Sequence, residues 1–314
     1  MFLYLPAFFL GSFFLLTPGS RAFAFEIKDL SVEQKGDFVL SPAKLDVAMD
    51  PGTVKTEYLT ITNRLGREAW FNVSVEDFTG SNDPGKTIIL LGNEKGPYSL
   101  KDFSAPEIPS FTLKAGQEIT FSVTITVPED AAPGGLYGSV LITSQPSKGA
   151  SGAITVSRLG ALFFVRVNGD AKENGSLQDF SLKGAKKWFY EKGPFTFLFL
   201  YKNSGNVHLA PYGNITIRNS IGQAIDVIDI DPYFAMPDSV RQREITWNKD
   251  VLLGRYKAEI NLNRGYKNII DTKELIFWVI PWKFIVISFI LICMVVGSLY
   301  YVGSKFEIKM KRKE

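Results

Sequence analysis

Polar and apolar residues alternate along much of this chain. In 55–63, KTEYLTITN, Tyr58 and Thr60 fall on one side and Leu59 and Ile61 on the other. In 70–78, WFNVSVEDF, Phe71, Val73 and Val75 share one face, opposite Asn72, Ser74 and Glu76. In 119–127, ITFSVTITV, the apolar set is Phe121, Val123, Ile125 and Val127. A period of two marks a strand with one buried face, and branched Val and Thr side chains pack well on a pleated surface. Turn-forming groups punctuate the runs: Asp50-Pro51-Gly52, Asn63 to Gly66, Asp83-Pro84-Gly85, Lys114-Ala115-Gly116 and Pro133-Gly134-Gly135. Helical periodicity is hard to find in 26–280. Short strands at this spacing predict a β-sandwich.

The alternation lapses twice. Residues 79–109, rich in Gly, Asn, Pro and Lys, are expected to form an inserted loop or hairpin, a candidate binding edge. Residues 168–176, NGDAKENGS, have the composition of a linker. Strand patterns resume in SLQDFSL, PFTFLFLYKN, GNITIRN, YKAEINLN and KELIFWVI, a second sandwich of roughly a hundred residues. The expected division is a first β-sandwich domain at 25–168 carrying the 79–109 insertion, a linker at 169–176, and a second β-sandwich domain at 177–280. One echo links the halves. The strand ending at Asn63 leads to Gly66, and the strand ending at Asn203 leads to Gly205, a shared turn device.

The two ends carry membrane signals. Residues 1–24 combine a short apolar core, a Pro18-Gly19 break and Ala22-Phe23-Ala24, the pattern of a signal peptide cut after Ala24. Residues 284–302 hold no charged side chain, with Trp278 and Trp282 on one flank and Tyr300 and Tyr301 on the other. A transmembrane helix is expected at 281–303, followed by a basic cytoplasmic tail at 304–314. The expected fold class is therefore all-β: two tandem β-sandwich domains plus one C-terminal transmembrane helix, the sandwiches being immunoglobulin-like by the resemblance given below. The expected location is the cell membrane, single-pass type I, with the ectodomain outside.

Composition narrows the chemistry. Apolar residues make up 46% and charged residues 21%, with a net charge of +3. Cores are affordable, and no nucleic-acid-binding face is indicated. His208 and Cys293 are the sole His and Cys, which excludes an internal disulfide and a Cys/His zinc site. An exported body without disulfides suggests a bacterial surface protein; the sequons at Asn72, Asn174 and Asn214 are then silent. His208 could act as a base only beside an acid and a nucleophile brought to it by the fold. Asp229 and Asp231 would share one face of a strand beside Asp226, too few oxygens for calcium without further ligands. Trp188, Phe189 and Tyr190, set between Lys186-Lys187 and Glu191-Lys192, are the candidate partner-binding residues, because aromatics of this kind anchor partners or stack on sugars. No catalytic, cofactor-binding or metal residue is assigned, and no cofactor is expected.

Two longer segments carry a resemblance. SPAKLDVAMDPGTVKTEYLTITNRLGREAWFNVSVEDF and LKAGQEITFSVTITVPEDAAPGGLYGSVLITS resemble the extracellular part of the WxL-interacting protein family, and NSGNVHLAPYGNITIRNSIGQ is similar to a segment of related bacterial surface proteins. The resemblance implies two immunoglobulin-like domains above a membrane span. It also implies partners: cell-wall polymer (peptidoglycan) for the first domain and a surface protein for the second. The first-domain pattern is also similar to the amino-terminal domain of pilus chaperones. The expected function is non-catalytic attachment or scaffolding at the cell surface. A cell-wall-acting carboxylate hydrolase and a secretion or pilus-type assembly chaperone are the alternatives.

Overall fold

The computed structural model describes residues 25–83, 85–146, 156–184, 189–249 and 253–305. The expected signal peptide, Trp188 and the tail beyond Lys305 lie outside the described residues.

The first sandwich is built from eleven strands. They are β1 (Glu26–Asp29), β2 (Asp37–Ser41), β3 (Lys44–Met49), β4 (Val54–Arg64), β5 (Ala69–Gly80), β6 (Ile88–Leu90), β7 (Ser104–Pro106), β8 (Ser110–Leu113), β9 (Gln117–Thr126), β10 (Gly134–Pro146) and β11 (Ser157–Val167). One sheet runs β1-β9-β4-β2, with β7 also on β9; the other runs β3-β11-β10-β5-β6, with β8 on β5. The chain changes sheets between β2 and β3 at Ser41–Pro42. β3 then lies parallel to β11.

The predicted alternation is what packs this sandwich. Leu59 and Ile61 point inward and are fully buried, while Tyr58 is 62% exposed. A one-residue slip of β4 against β9 would exchange those sets, so the pairing of Thr60 with Thr120 is fixed by burial. The outward hydroxyls of that pair meet at 2.9 Å. Phe71 is stacked against Phe111 and edge-on to Phe38, both at 5.3 Å.

The segment 79–109 is woven into the sandwich rather than appended to it. β5 continues to Gly80, β6 folds back on its end, and a 3₁₀ turn at Lys101–Phe103 leads into β7. A buried carboxylate organises it: Asp77 accepts hydrogen bonds from the backbone N–H groups of Gly96, Leu100 and Lys101 at 2.9–3.1 Å.

The second sandwich contains β12 (Gly175–Leu182), β13 (Phe189–Tyr190), β14 (Phe195–Asn203), β15 (Tyr212–Arg218), β16 (Ala224–Ile230), β17 (Ser239–Trp247), β18 (Gly254–Asn263) and β19 (Ile270–Val279). Its sheets run β12-β14-β17 and β13-β19-β18-β15-β16. β12 starts at Gly175, inside the segment read as a linker, because Gly175 already pairs with Asn203. Phe195, Phe197, Tyr256 and Phe277 form the aromatic centre of the core. The chain is thus all-β, with two tandem immunoglobulin-like sandwiches.

Two residues beyond β19, helix α1 (Trp282–Lys305) begins. It is long and apolar enough to cross a membrane, and none of its most apolar stretch is buried against the sandwiches.

Candidate functional site

Two motifs noted in the sequence meet where the sandwiches join. The turn Pro133-Gly134-Gly135-Leu136-Tyr137-Gly138 opens β10, and Asn203 to His208 forms the loop after β14. Asn206 donates its side-chain amide to the Pro133 carbonyl at 2.9 Å, and its own carbonyl accepts from the Gly135 N–H at 2.9 Å. Glycine is required twice here. Gly134 has φ of 153° in close contact with Asn206, and any side chain at Gly135 would overlap the Tyr137 hydroxyl.

Tyr137 is fully buried, and its hydroxyl accepts the backbone N–H of His208 at 2.6 Å. The His208 ring lies 3.3 Å from that hydroxyl through Nδ1 and 3.3 Å from an Asp46 carboxylate oxygen through Nε2. Phe164 meets Tyr137, Phe78, His208 and Phe234 edge-on at 5.1–5.6 Å, and buried Met236 completes the cluster. On one flank Tyr98 donates to Asp238 at 2.7 Å, and the Val240 N–H of β17 reaches the Ser81 carbonyl at 3.2 Å. Burial, then Asp238, pushes the Tyr98 phenol up to about 12.

Acid, imidazole and phenol thus converge at His208, but not as a nucleophile with its base. Burial pushes the Tyr137 phenol well above its ordinary value, so it keeps its proton, and its oxygen is already an acceptor. The arrangement fastens one sandwich to the other. The hydrogen bond from His208, with help from Lys44, holds the Asp46 carboxyl at about 2. A carboxylate depressed in the folded state contributes stability above its unfolded value near 3.9, and that contribution is lost as pH falls through the folded value. Between about pH 4 and 2 the unfolding midpoint of the wild type is therefore expected to fall more steeply than that of Asp46→Asn. Parallel acid profiles for the two proteins would remove Asp46 from the seam.

A second feature lies on the sheet that carries Tyr137 and Phe164. β3 pairs with β11 only from Leu162 to Val167. Residues 157–161 of β11 therefore have β10 on one side and, among the described residues, no strand on the other. An unpaired edge presents alternating N–H and C=O groups to any extended chain. Leu159 is 39% exposed there, and Val156 just before it is 55% exposed. Beside the edge runs a groove of about 300 Å³ lined by Ile88, Leu90, Ser139, Leu141, Arg158, Leu159, Gly160 and Leu162, with Arg158 paired to Glu76. Gly160 sets its floor: a Cβ there would come within 2.7 Å of the Ser139 hydroxyl and 2.8 Å of Leu141. That Ser139 hydroxyl is buried and has no hydrogen-bond partner among the described residues. In the facing sheet β2 is also an edge strand.

Of the aromatic residues singled out from the sequence, the two that are described, Phe189 and Tyr190, lie on the second sandwich, apart from this edge. Phe189 and Tyr190 form β13, a two-residue strand parallel to β19 that pairs with Trp278 and Val279. Tyr190 is half-buried, edge-on to Phe195 and Phe277. Both line a recess with Glu191, Lys192 and Trp282, where the second sandwich meets the helix, and Lys283 pairs with Glu191 at 3.0 Å. Asp226 accepts the Trp247 indole N–H at 2.8 Å and lies 3.7 Å from Lys249; the indole bond, chiefly, holds its carboxyl below the usual range. Asp229 and Asp231 are exposed. Among the described residues, no three His, Cys, Asp or Glu side chains gather as a metal site would require.

No family model matches the chain, and no curated protein matches it. Solved structures do. A chain of a chaperone–tip adhesin complex of CFA/I fimbriae biogenesis is 12% identical, with a TM-score of 0.38 over 78% of this chain and 99% of that one. The class 5 fimbrial chaperone CfaA is 13% identical, with a TM-score of 0.36 over 78% of this chain and 100% of that one. The E. coli chaperone DraB is 13% identical, with a TM-score of 0.36 over 78% and 98%.

Proposed function

We propose that this chain is a membrane-anchored, non-catalytic cell-surface protein that captures an extended segment of another surface protein as an added strand on β11. The observation that carries the reading is the edge at 157–161, open among the described residues, beside a groove of about 300 Å³ that is mostly apolar with Arg158 at its rim. Strand addition draws affinity from main-chain hydrogen bonds and specificity from pockets for alternate side chains. The groove offers such pockets through Leu141 and Leu162. A polypeptide suits this surface better than a glycan, because a sugar chain cannot complete a backbone ladder. The resemblance to WxL-interacting proteins belongs to the same reading, as does the single-pass type I arrangement. Helix α1, with Trp282 at one end and Tyr300 and Tyr301 at the other, would hold the sandwiches at the outer membrane face.

A second reading uses the same edge. An assembly chaperone would lend β11 to an incomplete subunit and release it, whereas a scaffold would keep its partner. The open donor edge favours this alternative over a hydrolase.

The test is a photo-crosslinking residue at Leu159 in the full-length protein in cells, with one at exposed Tyr58 as control. A protein adduct is expected at 159 and not at 58. Leu159→Lys places a charge against the groove, and recovery of that partner is expected to fall about tenfold or more with the melting temperature unchanged. Equal recovery would remove the edge from the function. Loss of the adduct during a chase would select the chaperone; persistence selects the scaffold.

A further inference from the structure

The second sandwich holds an unusual pair of cations away from the β11 edge. β17 is an edge strand of the three-stranded sheet. Its Arg241 and Arg243 are paired with Tyr201 and Phe199 of β14, whose rings lie in the core. Both arginines are consequently on the inward side of the strand, and both are half-buried. Tyr233, in the connection from β16, is 8% exposed and lies under Arg243, 5.0 Å from guanidinium carbon to ring centre.

Each member of this trio has one buried polar atom without a partner among the described residues. Five buried side-chain polar atoms lack a hydrogen-bond partner among the described residues, and three of them are Tyr233 Oη, Arg241 Nε and Arg243 Nε. Buried donors are normally paired, and their convergence at one place calls for an acceptor. The adjacent carboxylate, Glu244, is taken up by Lys183 at 2.8 Å. Burial and then the neighbouring Arg243 lower the affinity of Arg241 for its own proton, as two close guanidinium groups that repel each other would.

We propose that Arg241, Arg243 and Tyr233 form a binding site for a phosphate group. Residues two apart on a strand stand about 7 Å from each other on one face, so two guanidinium forks and a phenol approach from different directions. One planar carboxylate occupies one fork, whereas a tetrahedral oxyanion accepts from several at once. The group could be free phosphate or the phosphodiester of a polymer.

The test is thermal unfolding of the full chain in detergent micelles, with sodium phosphate, dimethyl phosphate or acetate added against chloride at matched ionic strength. Inorganic phosphate is expected to raise the midpoint by several degrees at saturation, and acetate is not. A matching rise with dimethyl phosphate assigns the site to a phosphodiester chain; a rise with inorganic phosphate alone assigns it to the free ion. Arg241→Gln/Arg243→Gln is expected to abolish the rise. Arg241→Gln alone, at low salt without phosphate, is expected to melt no lower than wild type, because it removes a repulsion. Tyr233→Phe keeps the ring under Arg243 and tests the site should the double variant not fold; phosphate affinity, followed by ³¹P line broadening, is expected to drop about tenfold, the loss of one charge-assisted hydrogen bond. A rise equal to that in chloride or acetate, a rise retained in the double variant, or unchanged affinity in Tyr233→Phe would overturn the proposal.

Discussion

Asn203→Ala is expected to destabilise the second sandwich by about 3 kcal/mol. Asn203 is fully buried at the end of β14. Its amide donates to the carbonyls of Val207 at 2.8 Å and Ala235 at 2.9 Å, and its oxygen accepts the Gly205 N–H at 2.9 Å. Truncation strands three backbone groups away from water, and each unpaired buried group costs about 1–3 kcal/mol, moderated where water enters. Asn63 is the same device in the first sandwich. It donates to the carbonyls of Arg67, Leu113 and Lys114 and accepts from the Leu65 N–H. Asn63→Ala is expected to cost a similar amount, read out in the unfolding of the first sandwich. Denaturant melts of the two variants check this; a loss below about 1 kcal/mol would show that solvent replaces the amide.

These asparagines show how far the sequence could be read. The strand-then-turn pattern around Asn63 and Asn203 was visible, since alternation and glycine placement are local. That both side chains are buried was not, because two of the carbonyls they bind, at Leu113 in β8 and at Ala235 in the connection before β17, are distant in the chain. The same division holds for the candidate sites. The motif containing Tyr137 and the segment containing His208 were each recognisable, but 71 residues separate them, and no spacing rule joins a phenol to that backbone amide. The open edge of β11 depends on where β3 begins to pair, which is a matter of topology. β17 was missed for a different reason. Arg241 and Arg243 occupy inward positions where the pattern calls for apolar residues, so the strand did not look like one. Places where the pattern fails in this way are where a fold has been bent toward something other than packing.

Tyr137→Ala is expected to cost about 3–5 kcal/mol, the range for emptying a large aromatic site in a core. It is also expected to loosen the angle between the sandwiches. Tyr137 is the one residue of the seam cluster that both fills space against Phe78 and Phe164 and accepts a backbone hydrogen bond from the other sandwich. Tyr137→Phe separates the two effects. It keeps the ring but leaves the His208 N–H unpaired, at about 1–3 kcal/mol, and is expected to keep the sandwiches aligned. Spin labels at Val54 and Ile221, exposed on separate sandwiches, give the readout in a Cys293→Ser background. Their distance distribution is expected to be narrow in wild type and Tyr137→Phe, and broad in Tyr137→Ala. A narrow distribution in the alanine variant would mean that Asn206 and the Ser81–Val240 bond hold the seam unaided. Tyr137 and Phe164 lie on β10 and β11, and β11 bears the open edge with β10 as its paired neighbour. Because one sheet carries both, slackening the seam would also change which way the edge faces relative to the helix, so partner capture at Leu159 is expected to weaken in Tyr137→Ala and to survive in Tyr137→Phe.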